Sequence, residues 1–230
     1  MRVQPFGYAQ GRLPRSSPSA VRSPLTRHQL GAGIILSSTV AAQAVAIGVT
    51  LLGWACLAVA LAIPFLRRSG RTRSRDRSSL LGMALQGVGF GLVFSVRHRW
   101  ASQPSIQVAL AALSVLLDAV AVAFVLAALR ALGKQWSLSA RVLEQHQLIT
   151  TGPYAVVRHP IYSGFLALLL ATGVAMSSPY ATASALTFYV IGTVLRTRSE
   201  ERLLRSTFGS EYEQYAKRVP ALIPYRWFGA

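Results

Sequence analysis

Polar residues that could bind a charged ligand are concentrated in one stretch of this chain, residues 132–164, which lies between two apolar runs. Gly152-Pro153-Tyr154 predicts a turn, and Pro160 disfavours helical backbone at the residue before it. Arg158 and His159 should therefore present two cationic side chains at the start of the next apolar run. Tyr162 lies just inside that run, where its hydroxyl can reach the same level.

A second polar element follows the last apolar run and contains two adjacent carboxylates, Glu200 and Glu201, in a chain with only 7 acidic residues. Carboxylates can hold the ammonium or hydroxyl groups of a ligand by charge-assisted hydrogen bonds. Apolar and aromatic residues then recur at helical spacing, with Gly209 between them: Leu204, Phe208, Tyr212 and Tyr215. This spacing predicts an amphipathic helix that lies against the membrane or caps the site.

The overall composition is that of an integral membrane protein. Hydrophobic residues make up 52% of the chain and charged residues only 13%, which is too apolar for an ordinary soluble domain. The 24 basic residues lie between apolar runs, as in cytoplasmic loops next to anionic headgroups, so we do not expect nucleic-acid binding. The single cysteine, Cys56, and the spacing of the histidines give no reason to expect a metal site.

Five apolar runs predict an all-α bundle of membrane-spanning helices, because about twenty apolar residues suffice to cross the hydrocarbon core. The runs are residues 45–66, 80–96, 106–132, 161–176 and 180–195. Ser177-Ser178-Pro179 is short enough to predict a hairpin between the last two runs. The second run is rich in small residues that permit close helix contact, namely Gly82, Gly87, Gly89 and Gly91.

The distribution of basic residues predicts the topology. Residues 67–77, 130–158 and the chain after 196 are rich in Arg and Lys and are expected in the cytoplasm. Residues 1–28 form a basic arm that we predict to be disordered. Its arginines favour the cytoplasm, which would require residues 31–66 to form two spans and the chain six. The only candidate breaks are Ser37-Ser38 and Gly48, so we favour five spans.

Three motifs resemble the isoprenylcysteine carboxyl methyltransferases and the related phospholipid N-methyltransferases, in order and in spacing. They are HQLITTGPY at 146–154, RHPIYSG at 158–164 and EERLLRSTFGSEYEQYAKRVPALIP at 200–224. The preceding part of the chain matches only as a generic bundle. The resemblance implies that S-adenosylmethionine binds in a cytoplasmic pocket closed by the C-terminal segment, and that the acceptor enters from the bilayer. Residues 29–230 would form one domain, with its site built from 132–164 and 196–224.

The resemblance also implies which residues form the site. Residues expected to bind the cofactor are His146, Leu148, Gly152, Pro153, Tyr154, Arg158, His159, Pro160, Tyr162, Glu200 and Glu201. Arg158, Tyr162 and Glu201 are the expected catalytic residues. Charge complementarity would place the carboxylate of the cofactor near Arg158, and its amine or ribose hydroxyls near one of the two glutamates.

The acceptor remains open among prenylcysteine carboxylates, phospholipid amines and small isoprenoid or thiol compounds. A carboxylate acceptor needs no general base, whereas an amine must lose a proton. A membrane sterol or acyl reductase that uses NADPH is the alternative enzyme, because such reductases share an Arg-His-Pro-x-Tyr-like element. The element at 146–154 favours the methyltransferase. A non-catalytic membrane protein would leave the clustering of polar residues unexplained. The expected location is a bacterial-type inner membrane, with the site facing the cytoplasm.

Several of these residues also have simpler interpretations. Arg158 could anchor a lipid headgroup, His159 could fix a turn, and the two glutamates could be solvated charges. Trp136, Tyr225 and Trp227 are expected to be aromatics of the membrane interface. Asp118 lies in the middle of the third apolar run, where an ionisable group is a functional candidate by default. The simpler alternative is a carboxyl group that is hydrogen-bonded to Gln86 or to a serine.

Overall fold

A computed structural model describes residues 27–66, 77–96, 103–133 and 147–224. All regular secondary structure in these ranges is helical, which confirms the predicted all-α class. The seven helices are α1 (Arg27–Leu66), α2 (Arg77–Ser95), α3 (Pro104–Leu132), α4 (Pro153–Val156), α5 (Pro160–Met176), α6 (Pro179–Phe208) and α7 (Ser210–Arg218). The predicted disordered arm and the interface aromatics Trp136, Tyr225 and Trp227 fall outside the described residues, except that α1 already begins at Arg27.

Three helices among the described residues are long and apolar enough to cross a membrane. They comprise Ser38–Ala62, Ser78–Ser95 and Pro104–Leu132, and α5 is apolar but shorter. Large apolar side chains on these helices face outward, such as Leu52 and Leu116, which are 69% and 61% exposed. Such an apolar exterior is stable only in contact with lipid or another protein. The described residues therefore form an integral membrane protein. Both candidate breaks in α1 are helical, at residues 37–38 and at Gly48.

The first half of the bundle packs around α5, which contacts α1, α2, α3 and α6. Ala46 of α1 shares a buried cluster with Ala175 of α5, and Leu57 of α1 shares the next cluster with Leu168. Since one residue number rises while the other falls, α1 and α5 are antiparallel. Helix α3 contributes to both clusters and runs in the same direction as α1.

Helices α2 and α6 form a second antiparallel pair that glycines hold close together. A methyl group added at Gly82 would lie 2.6 Å from the carbonyl oxygen of Gly192, and one at Gly89 would lie 2.7 Å from that of Ala185. No side chain larger than hydrogen fits at either position without movement of the backbone. The predicted close contact is thus confirmed at these two glycines, which let α2 and α6 pack backbone to backbone.

The other predicted small residues behave differently. A methyl group at Gly87 or Gly91 would meet nothing within 4 Å, so these two glycines do not mediate helix contact among the described residues. Gly164 of α5 lies against Val125 and the carbonyl of Ala121 on α3. Its small size therefore serves the packing of α5 on α3.

The helix directions bring the ends of α1 and α3, the starts of α2 and α5, and the second half of α6 to one end of the bundle, here called the site end. The predicted hairpin lies at the opposite end: α5 stops at Met176, and the Ser178 hydroxyl caps α6 by accepting from the Ala181 amide. Helix α6 runs well beyond its apolar part to Phe208. Gly209 then adopts a φ of +51°, and α7 begins at the next residue. The predicted amphipathic face is therefore divided between two helices.

Asp118 is buried at the centre of α3, and its hydrogen-bond partner is a threonine instead of the Gln86 or serine of the simpler alternative. The Thr50 hydroxyl of α1 donates to Oδ2 of Asp118 at 2.5 Å. The Ser114 hydroxyl lies 3.5 Å from that of Thr50 and donates to the Ala171 carbonyl of α5. Thr50, Ser114 and Asp118 are called the Asp118 cluster below. Gln86 faces away from it because α2 packs on α6 instead of α3.

Candidate functional site

His159 lies between the two adjacent glutamates of α6 at the site end. Its Nδ1 is 3.4 Å from Oε2 of Glu200, and its Nε2 is 3.2 Å from Oε1 of Glu201. The His159 side chain is only 5% exposed. The sequence places it there because Pro160 starts α5, so His159 occupies the cap with a non-helical backbone. With both ring nitrogens facing carboxylates, a doubly protonated imidazolium fits this position best.

Arg158 contacts Glu201 of this carboxylate pair and also the C-terminal segment. Its Nε and Nη2 donate to Oε1 of Glu201 at 3.1 and 2.8 Å. Its Nη1 donates to the carbonyls of Ala216 and Val219 at 2.8 and 2.7 Å. The guanidinium thus links α6 to the end of α7, an arrangement that depends on its planar set of donors.

Tyr162 lies one turn into α5 and donates its hydroxyl hydrogen bond to Oε1 of Glu200. Its backbone carbonyl accepts a hydrogen bond from the Tyr189 hydroxyl at 2.7 Å. The guanidinium of Arg196 lies over the ring, with Cζ 5.1 Å from the centroid. Arg158, His159, Tyr162, Glu200 and Glu201 therefore form one connected group, here called the His159 cluster.

The turn before α5 is fixed to the same region. Gly152 has a φ of +62°, which side chains with a Cβ rarely adopt, and the short helix α4 follows. The Tyr215 hydroxyl of α7 donates to the carbonyl of Tyr154 at 2.7 Å. This bond confirms that the predicted Gly-Pro-Tyr turn faces the C-terminal helix. Pro153 and Leu148 lie alongside, half-buried.

The segment after α7 pairs with the backbone at the start of α5. The amide of Arg158 donates to the carbonyl of Pro220 at 2.8 Å, and the amide of His159 donates to that of Ala221 at 3.0 Å. The Ser163 hydroxyl donates to the carbonyl of Leu222 at 2.6 Å. The C-terminal segment is thus bound across the His159 cluster at three successive residues.

Electrostatic interactions within the cluster favour its charged forms. Burial alone would lower the pKa of His159, but hydrogen bonds and charge from Glu200 and Glu201 outweigh it and raise that pKa. Burial would raise the pKa of Glu200, whereas its contacts with His159 and Tyr162 and the charge of Arg196 lower it on balance. The pKa of Glu201 falls to about 2, since hydrogen bonds from His159 and Arg158 outweigh its burial.

The structure brings together most of the residues predicted from the sequence. Arg158, His159, Pro160, Tyr162, Glu200 and Glu201 lie in or next to the cluster, and Tyr154, Pro153, Gly152 and Leu148 lie in the adjoining turn. His146 falls outside the described residues. Sequence reasoning missed Arg196 and Arg205. Arg205 donates to Oε2 of Glu201 at 3.0 Å from one turn further along α6, so the spacing of four residues was an available signal.

These observations define a helical membrane protein with a buried cluster of paired charges at one end of its bundle, and comparison with known proteins shows which family this part of the chain resembles. The model of the isoprenylcysteine carboxyl methyltransferase (ICMT) family matches residues 112–206. The resemblance predicted from the sequence is thereby confirmed. The matched residues include α5, the two residues before it and most of α6, which together carry the whole His159 cluster.

Individual relatives match a third to two fifths of the chain. Protein-S-isoprenylcysteine O-methyltransferase B of Arabidopsis thaliana is 40% identical over 85 residues, 36% of this chain and 42% of the relative. Methanethiol S-methyltransferase 1 of Bradyrhizobium diazoefficiens is 43% identical over 74 residues, 32% and 25% of the two chains. Cobalt-zinc-cadmium resistance protein CzcN of Cupriavidus metallidurans is 33% identical over 97 residues, which are 42% of this chain and 44% of the relative. The matches thus span less than half the length of each relative.

Proposed function

We propose that this protein is an S-adenosylmethionine-dependent methyltransferase that acts on a lipid-like or membrane-associated acceptor. The observation that carries the proposal is the His159 cluster. Its residues lie within the part of the chain that matches the methyltransferase family, and the helices bring them into direct contact. Two relatives are named as an O-methyltransferase and an S-methyltransferase. These matches favour methyl transfer over an NADPH-dependent reductase.

The residues at the site end fit S-adenosylmethionine by the chemistry of their donors and acceptors. The Glu200 side chain is 24% exposed, so its carboxylate can accept from the amine or the ribose hydroxyls. Tyr154 and Tyr162 offer aromatic rings beside it, and aromatic rings attract cationic ligands. Residues 147–152 add backbone groups of a loop without regular structure. When bound, the cofactor would supply an electrophilic methyl group on a cationic sulfur.

In this proposal, Arg158 and His159 hold other groups of the site in place. Arg158 holds Glu201 and the end of α7 at the same time, so we assign it the closure of the C-terminal segment over the cofactor. The charges suggest that Arg158 also binds the carboxylate of the cofactor. In that case the guanidinium would bind the cofactor in addition to Glu201 and the end of α7. His159 fixes the side chains of both glutamates, so that methyl group and acceptor meet at a defined angle.

The charge state of the cluster bears on the acceptor. Glu200 and Glu201 have lowered pKa values and His159 a raised one, so none of the three readily takes up a proton near neutral pH. An amine acceptor requires a base, whereas a carboxylate or thiolate acceptor reaches the site already deprotonated. The cluster therefore favours an acceptor that is already anionic, such as a prenylcysteine carboxylate, over the amine of a phospholipid. A small thiol would react through the fraction that is present as thiolate.

We propose five membrane spans, formed by α1, α2, α3, α5 and the first part of α6. Support comes from the alternating directions of these helices and from the unbroken α1. The site end carries the exposed Arg130, Arg198 and Arg205, a basic surface that favours the cytoplasmic side of an inner membrane. Residues 29–230 would then form a single domain, with α7 and the segment after it at the cytoplasmic surface.

The test uses the full chain, purified in detergent and reconstituted into vesicles. Binding of S-adenosylmethionine labelled in its methyl group is measured first, with labelled NADPH as the competing cofactor. Transfer is then measured to a farnesylated cysteine, a short-chain thiol and phosphatidylethanolamine. We expect binding of the methyl donor only, and transfer to the first or second acceptor. Binding of NADPH without the methyl donor would overturn the proposal, and transfer to the phospholipid alone would overturn the preference for an anionic acceptor.

A further inference from the structure

Gln86 is a polar side chain in the middle of the apolar helix α2, and it is only 6% exposed. Its amide nitrogen donates to the hydroxyl of Thr193 at 2.8 Å, and its amide oxygen accepts from Nη1 of Arg196 at 3.1 Å. The guanidinium can only donate, so the oxygen of the amide must face Arg196. Gln86 therefore joins α2 to α6 through two hydrogen bonds with a fixed orientation.

Packing leaves this side chain little freedom. A methyl group added at Gly192 would lie 3.0 Å from both the backbone nitrogen and Cγ of Gln86. A methyl group at Gly82 would lie 2.6 Å from Cγ of Arg196. The two glycines thus bring Gln86 and the aliphatic part of Arg196 against the opposite backbones. A close-packed interface of this kind resists rearrangement of its side chains.

Arg196 connects this interface to the His159 cluster. Its guanidinium lies over the ring of Tyr162, and Tyr162 donates to Glu200. An arginine side chain has several rotatable bonds, and the electrostatic attraction of a ring falls away once the cation leaves its face. The hydrogen bond that Nη1 of Arg196 donates to the amide oxygen of Gln86 keeps the cation in place. Among the described hydrogen bonds, Gln86 reaches Thr193 and Arg196 but no member of the His159 cluster. Any influence of Gln86 on the cluster therefore passes through Arg196.

We propose that Gln86 is a positioning residue for methyl transfer: by holding Arg196 over the Tyr162 ring, it sets the orientation of Tyr162 and Glu200 at the site. This inference rests on the proposed function for its effect on turnover. Its structural part, the dependence of Glu200 on Gln86, does not need the protein to be a methyltransferase. The two parts can therefore be tested separately.

The Gln86→Glu variant tests the structural part. It keeps the size of the side chain but places a carboxylate against Arg196, which offsets the cation that favours ionised Glu200. The charged and titratable groups facing Glu200 are His159 at the start of α5, Tyr162 in α5, Arg196 in its own helix and Tyr154 in α4. Only Arg196 contacts residue 86 among them. We therefore expect the pKa of Glu200 to rise in this variant.

The measurement is isotope-edited infrared titration of the glutamate carboxylates, with Glu200→Gln identifying the signal of Glu200. Thr172→Val is the matched control, because Thr172 accepts a buried interhelical hydrogen bond from Trp54 at 3.0 Å on the far half of α5. We expect the Glu200 signal to shift to higher pH in Gln86→Glu and to stay unchanged in Thr172→Val. An unchanged signal in the first variant, or an equal shift in both, would overturn the inference.

The Gln86→Met variant tests the catalytic part, since it keeps the volume but removes the hydrogen bond to Arg196. We expect kcat to fall about tenfold, the effect of one displaced hydrogen bond to a charged group, with less change in the KM of the methyl donor. Thr172→Val should retain the wild-type kcat at equal protein level. An unchanged kcat in Gln86→Met would remove Gln86 from the positioning role. If the wild type transfers no methyl group while the Glu200 titration still depends on residue 86, the proposed function fails and the structural link stands.

Discussion

Two clusters in this bundle contain carboxyl groups, and they differ in the partners that surround them. In the His159 cluster, Glu201 faces the side chains of Arg158, His159 and Arg205. In the Asp118 cluster, the carboxyl group accepts a hydrogen bond from Thr50, and its Oδ1 has no partner among the described residues. The carboxylates of the first cluster face cations at the end of the bundle. The carboxyl group of the second cluster lies at the centre of the bundle and has only uncharged neighbours.

This difference shows what the two regions can do. Cationic partners keep a buried carboxylate ionised, whereas an ionised carboxylate without a cation is costly inside a membrane. We therefore expect the glutamates to be charged and Asp118 to be neutral. A charged cluster with one partly exposed carboxylate can orient a polar ligand. A neutral carboxyl group that is 1% exposed can hold α1 and α3 together but offers little to a ligand.

Replacing Glu201 should have the largest effect of the changes considered, because one substitution removes the shared partner of three cations. In Glu201→Gln we expect cofactor binding to weaken by about 1–3 kcal/mol, the range for hydrogen bonds that involve charge. Binding of labelled S-adenosylmethionine measures the change. Glu211→Gln on the exposed face of α7 is the control and should bind as the wild type does. Equal losses in the two variants would mean that Glu201 is an ordinary solvated charge with no role in cofactor binding.

Replacing Arg158 by lysine should have the next largest effect, although the charge is kept. Lysine can approach Glu201, but it cannot at the same time donate to the carbonyls of Ala216 and Val219 as the guanidinium does. We expect methyl transfer to fall about tenfold, with part of the loss in cofactor retention because the C-terminal segment is less firmly held. Arg198→Lys, an exposed position on α6, is the control. Wild-type activity in Arg158→Lys would mean that Arg158 only anchors the chain to lipid headgroups.

The protonation of His159 predicts a dependence of stability on pH. Its pKa is raised in the folded protein, so its contribution is complete below the ordinary value near 6.5 and is lost as pH rises through the higher folded value. The pKa of Glu201 is lowered to about 2 from 4.5, so its contribution is complete above 4.5 and is lost as pH falls toward 2. Thermal unfolding in detergent should show highest stability between these limits. The alkaline decline should be absent in His159→Gln, and its persistence there would contradict the assignment.

Much of the fold could be predicted because hydrophobic length and turn residues act locally. The bounds of α3 and α5 follow from Pro104 and Pro160 at their first turns. The contact of α2 with α6 could not be predicted, because an apolar helix carries no signal for which neighbour it meets. For this reason the sequence could suggest Gln86 as a partner of Asp118, whereas Gln86 bonds to Thr193 and Arg196 of α6. The motif residues identified the His159 cluster, whereas the carbonyls of Ala216 and Val219 were missed, since backbone acceptors leave no mark in a sequence.

Replacing Asp118 should have the smallest effect and separates the two clusters most clearly. Asparagine has nearly the shape of a neutral carboxyl group and can still accept the hydrogen bond from Thr50, so Asp118→Asn should change the free energy of unfolding by less than about 1 kcal/mol. Methyl transfer should stay at the wild-type level. Asp118→Leu, which cannot accept that hydrogen bond and leaves the Thr50 hydroxyl unpaired, should be less stable in thermal unfolding. Because both clusters lie in the same bundle, an indirect effect through loss of folding would appear in the melting temperature of either variant. A loss of transfer in Asp118→Asn at an unchanged melting temperature would mean that the carboxyl group takes part in the reaction, and that the contrast between the two clusters does not hold.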